Sequence, residues 1–136
     1  MPGIQTPICQ QLQIEHPVFQ AGMGWVARAD LAAAVSEAGG LGCIGAGSTM
    51  DADELRAEIR SVREQTDRPF AVDILFATVA SKVNEAVRYT DKVAAMVDVV
   101  FEERVPVLIS GLGSPKDAVP TAKELGITVM SVVGAV

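Results

Sequence analysis

Pro17-Val18-Phe19-Gln20-Ala21-Gly22, Leu31-Ala32-Ala33-Ala34-Val35-Ser36-Glu37-Ala38-Gly39-Gly40 and Leu41-Gly42-Cys43-Ile44-Gly45 follow one another along the chain. The first is a short apolar run stopped by glycine, the pattern of a buried strand. In the second, Leu31, Ala34, Val35 and Ala38 recur at i, i+3, i+4 and i+7, which predicts a helix buried on that face and ended by Gly39-Gly40. The third is again short and apolar. Strand, helix, strand in this order is a β-α-β unit, and its right-handed crossover makes the two strands parallel.

The alternation continues outward from this unit. Asp51 with Glu54 three residues later resembles a capping box, and Leu55, Ile59 and Val62 form the buried stripe of the helix it opens. Pro69 closes the connection, and Phe70-Ala71-Val72-Asp73-Ile74-Leu75-Phe76 is a third strand with a single acid. Residues 78–90 have weaker periodicity and read as a loop with a helical turn, whereas Val93, Met96, Val97 and Val100 mark a further helix that Pro106 stops. Val107-Leu108-Ile109-Ser110-Gly111 is a fourth strand. Ser114-Pro115 offers a cap and a first helical residue, but Pro120 would then break the ladder, so this helix is either kinked or begins later, near Ala118. Ile127 to Val133 is a fifth strand.

Five parallel strands leave two α/β architectures. A doubly wound sheet needs about the 136 residues present. A (β/α)8 TIM barrel needs roughly 250, so residues 1–136 would supply only its first five strands. Strand order separates them, because a barrel keeps 1-2-3-4-5 and a doubly wound sheet does not.

Composition narrows the function. Apolar residues make up 49% of the chain, enough for one globular core. Seventeen acidic residues against eleven basic ones give a net charge of −6 with no basic run, which argues against nucleic acid as a partner. Cys9 and Cys43 have neither CxxC spacing nor a neighbouring histidine, so they read as reduced thiols and not as metal ligands. The sequence shows neither a leader pattern nor about eighteen consecutive apolar residues, and reads as a cytoplasmic protein without a membrane partner.

Two doubly wound functions fail on residues. Gly22, Gly24 and Ala27 fit the G-x-G-x-x-G/A dinucleotide fingerprint, but the second strand ends Gly45-Ala46-Gly47-Ser48 with no acid for a ribose hydroxyl. Asp73 sits where a phospho-receiver domain keeps its phosphoacceptor, yet Gln20-Ala21-Gly22-Met23 brings no carboxylate for Mg²⁺ and Val132-Val133-Gly134 brings no lysine.

The blocks from Pro17 to Met23, Leu31 to Gly42, Arg68 to Asp73 and Val105 to Ser110, in this order and spacing, resemble the opening β-α units of the nitronate monooxygenases, formerly called 2-nitropropane dioxygenases. The resemblance implies an FMN-binding TIM barrel that oxidises alkyl nitronates, a small-molecule substrate, with O₂. A flavin-dependent enoyl-acyl-carrier-protein reductase shares these motifs and is the alternative. A non-catalytic half-barrel that self-associates through its open edge, or a doubly wound binding domain, is the alternative outside catalysis.

Catalytic faces of such barrels lie at the strand C-termini, so Ala21, Gly22 and Met23 are expected at the flavin, where glycine lets backbone approach a flat ring. Asp73 stands where the family commonly has asparagine; an ionised carboxylate only accepts hydrogen bonds, so it would need a donor or a raised pKa. Ser110, Ser131 and Val132 end the fourth and fifth strands and complete the expected cofactor set, with Trp25 at its edge. His16, the only histidine, precedes the first strand and belongs to the opposite end. The family's histidine lies in a Glu-Ala-Gly-Gly-His segment after the sixth strand, and its phosphate-binding loops follow the seventh and eighth; neither has a counterpart here. The expectation is therefore a barrel cut before its sixth β-α unit, with no catalytic residue of its own and weak FMN binding in isolation.

Overall fold

A computed structural model of the protein describes residues 4–47, 50–76 and 90–134. Helix α3 (Ala52–Gln65) forms where the sequence signals predict it. Asp51 Oδ1 accepts from the Glu54 backbone N–H at 2.9 Å, and Glu54 Oε2 accepts from the Asp51 N–H at 3.1 Å, so two otherwise orphaned donors are satisfied. Its Leu55, Ile59 and Val62 are fully buried. Helix α4 (Asp91–Glu102) is capped by the Thr90 hydroxyl and buries Val93, Met96, Val97 and Val100. Helix α5 (Val119–Glu124) takes the later of the two possible starts, with Pro120 in its first turn, where a missing N–H costs nothing. The segment 78–89 lies outside the described residues.

Four strands pair in one parallel sheet: β1 (Gly42–Ala46), β2 (Phe70–Phe76), β3 (Val107–Gly113) and β4 (Thr128–Ser131), in the order β1-β2-β3-β4. Cys43 faces Ala71 in the register, and Leu108 faces both Val72 and Val129. The register slips between Ile74 and Leu75, which pair with Ser110 and Leu112, so Gly111 is an extra residue in β3.

The first of the five expected strands is reduced to one parallel bridge, Phe19 to Leu41. Backbone pairing stops there because a side chain takes over the next rung. The Gln20 amide donates to the Cys43 carbonyl at 2.8 Å and accepts from the Cys43 N–H at 3.3 Å, which frees the main chain at Ala21 and Gly22 to leave β1. The bridge still puts this segment outside β1. The spatial order is thus sequential from Phe19 to β4, the order of a (β/α) barrel, and the doubly wound alternative is excluded.

A second difference concerns helix α2 (Ala29–Glu37). Its buried residues are Ala29, Ala32, Ala33 and Ser36, whereas Ala34 and Ala38, expected inside, are exposed. Closeness decides the face. A Cβ on Gly42 would lie 1.9 Å from the Ala32 carbonyl oxygen, so the helix backbone rests on β1 and admits only small residues. Ser36 Oγ accepts from the Gly42 N–H at 3.1 Å and donates to the Pro69 carbonyl at 2.9 Å, which ties the helix to the starts of β1 and β2.

The two faces of the sheet carry separate cores. Ile44, Val72, Ile74 and Leu108 pack against α2 to α5 on the outer face. On the inner face Cys43, Ala71 and Val107 meet Cys9 and Leu12 of α1 (Pro7–Leu12), a helix not foreseen from sequence. Helix α1 fills the inner face near the strand N-termini and leaves the other end open. No helix among the described residues is long and apolar enough to cross a membrane.

Candidate functional site

Two large cavities lie at opposite ends of the inner face. One, about 440 Å³, sits at the strand N-termini beside α1, and its cations are engaged: Arg63 with Glu103 at 3.2 Å and Arg68 with Glu15 at 2.9 Å. The other, about 410 Å³, opens at the strand C-termini, where parallel α/β folds bind ligands. Its floor is Ile109 and Met130, its rim includes Leu75 and Val132, and its one acid is Asp73. Position and an unsatisfied polar group favour the second cavity.

Asp73 comes from the middle of β2, on the same face as Ala71 and Leu75. Its Oδ1 is buried without a hydrogen-bond partner. Burial raises the carboxyl above its usual pKa; the Gly111 backbone N–H works in the opposite direction but makes no hydrogen bond to Oδ1. Glycines wedge the carboxyl from both sides: a Cβ on Gly22 would lie 2.3 Å from Oδ2, and one on Gly111 would lie 2.7 Å from Oδ1. The β3 bulge therefore delivers the glycine that gives this carboxyl room. Below it, burial and the charge of Asp73 push the Cys43 thiol up to about 12, so this sulfur stays protonated at neutral pH and is a poor nucleophile.

The remaining expected site residues divide. Ala21, Gly22, Ser131 and Val132 line the cavity with Asp73. Met23 packs its backbone over Gly45, where an added Cβ would meet the Met23 nitrogen at 2.7 Å, and it does not line the cavity. Ser110 points to the other face of the sheet; it is fully buried and donates to the Gly113 carbonyl at 3.0 Å. Trp25 is 73% exposed with a left-handed φ of 66°, three residues beyond Gly22. His16 is exposed and donates its backbone N–H to the Gly39 carbonyl, before the start of β1 and away from the cavity.

Sequence reasoning missed Phe19, Gln20, Leu75, Ile109, Gly111 and Met130 as cavity residues. Period-two alternation from Val107 was the available signal, since it puts Ile109 and Gly111 on the inner face and Ser110 on the outer one. Parity accounts for Ser110, whereas Ser131, its register partner at the end of β4, lines the cavity all the same.

Residues 5–136 match the family model described as nitronate monooxygenase. The chain is 39% identical, over 97% of its length and 34% of the relative's, to the (3aS,4S,5R,7aS)-5-hydroxy-7a-methyl-1-oxo-octahydro-1H-indene-4-carboxyl-CoA dehydrogenase of Mycobacterium tuberculosis. It is 32% identical to a probable nitronate monooxygenase of Staphylococcus saprophyticus, over 94% of this chain and 36% of that one. The solved structure of FabK from Thermotoga maritima superposes with a TM-score of 0.84 at 39% identity, covering 97% of this chain and 38% of FabK. The chain thus spans between a third and two fifths of the length of these proteins.

Proposed function

The chain belongs to the nitronate monooxygenase family, and from that premise we propose that its protein oxidises alkyl nitronates with O₂ through bound FMN. The observation that carries the reading is the buried, unpartnered Oδ1 of Asp73 in a cavity at the strand C-termini, flanked by two glycines without Cβ atoms. An orphaned acceptor that faces a cavity suits a ligand that brings a donor. A flat ring with an N–H supplies one, and the apolar floor of Ile109 and Met130 suits its faces.

In this reading Asp73 holds the ring edge, and Gly22 and Gly111 let backbone come close to it. Ala21, Ser131 and Val132 complete the contacts that this cavity offers the cofactor, and Met23 stands behind them against Gly45. Ser110, turned to the helices, keeps a structural role in β3. When bound, FMN accepts two electrons from a substrate and passes them to O₂. A cytoplasmic protein with reduced Cys9 and Cys43 accords with this chemistry.

The test is spectroscopic. Protein made from its native reading frame is loaded with FMN and mixed anaerobically with an alkyl nitronate, which is expected to bleach the flavin absorbance; air is expected to restore it with O₂ uptake. A flavin that nitronate leaves oxidised would sink the proposal. The likeness to FabK and to a carboxyl-CoA dehydrogenase supports a second reading, a flavin-dependent enoyl-acyl-carrier-protein reductase. There NAD(P)H bleaches the flavin and the nitronate does not.

A further inference from the structure

We infer that Asp73 makes the cavity selective for a planar ligand that presents an N–H donor, and that it accepts this hydrogen bond as a carboxylate. The inference rests on the flavin reading of the same cavity and adds which ring edge the site recognises and how protons compete with it. Oδ1 is buried and has no partner of its own. The carboxyl fills the space that side chains on Gly22 and Gly111 would take, so it is held at the wall by two segments that bring no side chain of their own. No Lys, Arg or His lines the cavity, hence no cation of the described wall neutralises it. A ligand N–H is the group that satisfies this oxygen, whereas a carbonyl or phosphate oxygen in its place meets a repelling lone pair.

The oxidised isoalloxazine ring has a single N–H, the imide at N3, so methylation at that nitrogen removes the donor and little else. Proton competition follows from the same geometry. From β1 the neighbouring titratable group is Cys43, pushed up to about 12 and therefore uncharged. The cavity residues from the first segment, β3 and β4 (Gln20, Gly22, Ile109, Gly111 and Met130 among them) do not ionise. Among the described residues of the cavity wall, Asp73 is the group that changes charge. Burial raises its pKa in the free protein, and a donated N–H favours the ionised form, so ligand binding releases a proton. Affinity is full above the raised pKa of the free carboxyl and falls as pH drops through it, by at most about tenfold per pH unit for one proton.

The experiment titrates FMN and N3-methyl-FMN into protein from its native reading frame, following flavin fluorescence between acidic and mildly basic pH. At basic pH the methylated ring is expected to bind at least about tenfold more weakly, the worth of one hydrogen bond to a charged group. The ratio of FMN to N3-methyl-FMN affinity, in which titration of the shared phosphate cancels, is expected to fall on acidification. Asp73→Asn keeps an acceptor oxygen, so it retains the preference for FMN but loses the pH dependence of that preference. Equal affinity for the two rings, a ratio that ignores pH, or a pH dependence of the ratio that survives in Asp73→Asn would each overturn the inference. The first two need no variant to fold. Failure of FMN to bind at any pH would instead remove the flavin reading beneath it.

Discussion

Replacing Gly42 by alanine probes the contact that seats α2 on the sheet. The added Cβ would stand 1.9 Å from the Ala32 carbonyl oxygen and 2.7 Å from Ser36 Oγ, where ordinary contact begins at 3.4 Å. Neither neighbour is the end of a flexible side chain that swings aside freely: one is helix backbone, and the other is held by Pro69 and by Gly42 itself. The helix must therefore withdraw by roughly 1.5 Å, more than close-packed interiors absorb locally. Overpacking of this kind costs about 1–3 kcal/mol. Loss of the Gly42 to Ser36 hydrogen bond adds about 1 kcal/mol, for a total of about 2–4 kcal/mol. Equilibrium urea unfolding reads this directly. With a slope of about 1–3 kcal/mol per molar, the midpoint should fall by roughly 1–3 M. Gly24→Ala is the control, since its Cβ meets nothing within 4 Å, and it should stay within about 0.5 kcal/mol of the parent. A Gly42→Ala protein as stable as Gly24→Ala would refute the packing of α2 against β1.

Asp51→Ala removes the acceptor half of the capping box on α3 and is expected to cost about 1 kcal/mol, read as a lower urea midpoint with an unchanged slope. Asp73→Asn tests the sign of a pH effect on stability. Burial raises the folded carboxyl's pKa above its unfolded value, so the native state holds the proton more tightly; the associated stability is fully present below the unfolded pKa and is lost as pH rises through the folded one. The asparagine variant does not titrate, so its stability relative to the parent should increase from about pH 4 to pH 7. Parallel curves for the two proteins across that range would contradict the burial of this carboxyl.

Local signals made most of the secondary structure legible. Asp51 and Glu54 announced α3, proline and glycine set the strand boundaries, and apolar periodicity marked α4 because Val93, Met96, Val97 and Val100 are large enough for their burial to dominate. The same logic failed on α2, whose contacts are between backbones. There the absence of a side chain at Gly42 matters more than apolar side chains at Leu31 and Val35, and periodicity counts only what is present. Strand identity failed at Phe19 for a related reason, since Gln20 reads as an interruption but serves as a rung.

By itself the sequence determined the alternation of strand and helix, the parallel sense of the sheet and the kinship that the ordered blocks reveal, all of which follow from local preferences and crossover handedness. Only the tertiary structure decided which way the sheet is ordered, that α1 fills one end of its inner face, and that Asp73 ends up between Gly22 and Gly111 with an oxygen left over. Those three residues lie on separate segments whose approach depends on the β3 bulge and on the turn after Gln20. Whether a buried oxygen finds a partner is a property of everything packed around it, and no window of sequence contains that surround.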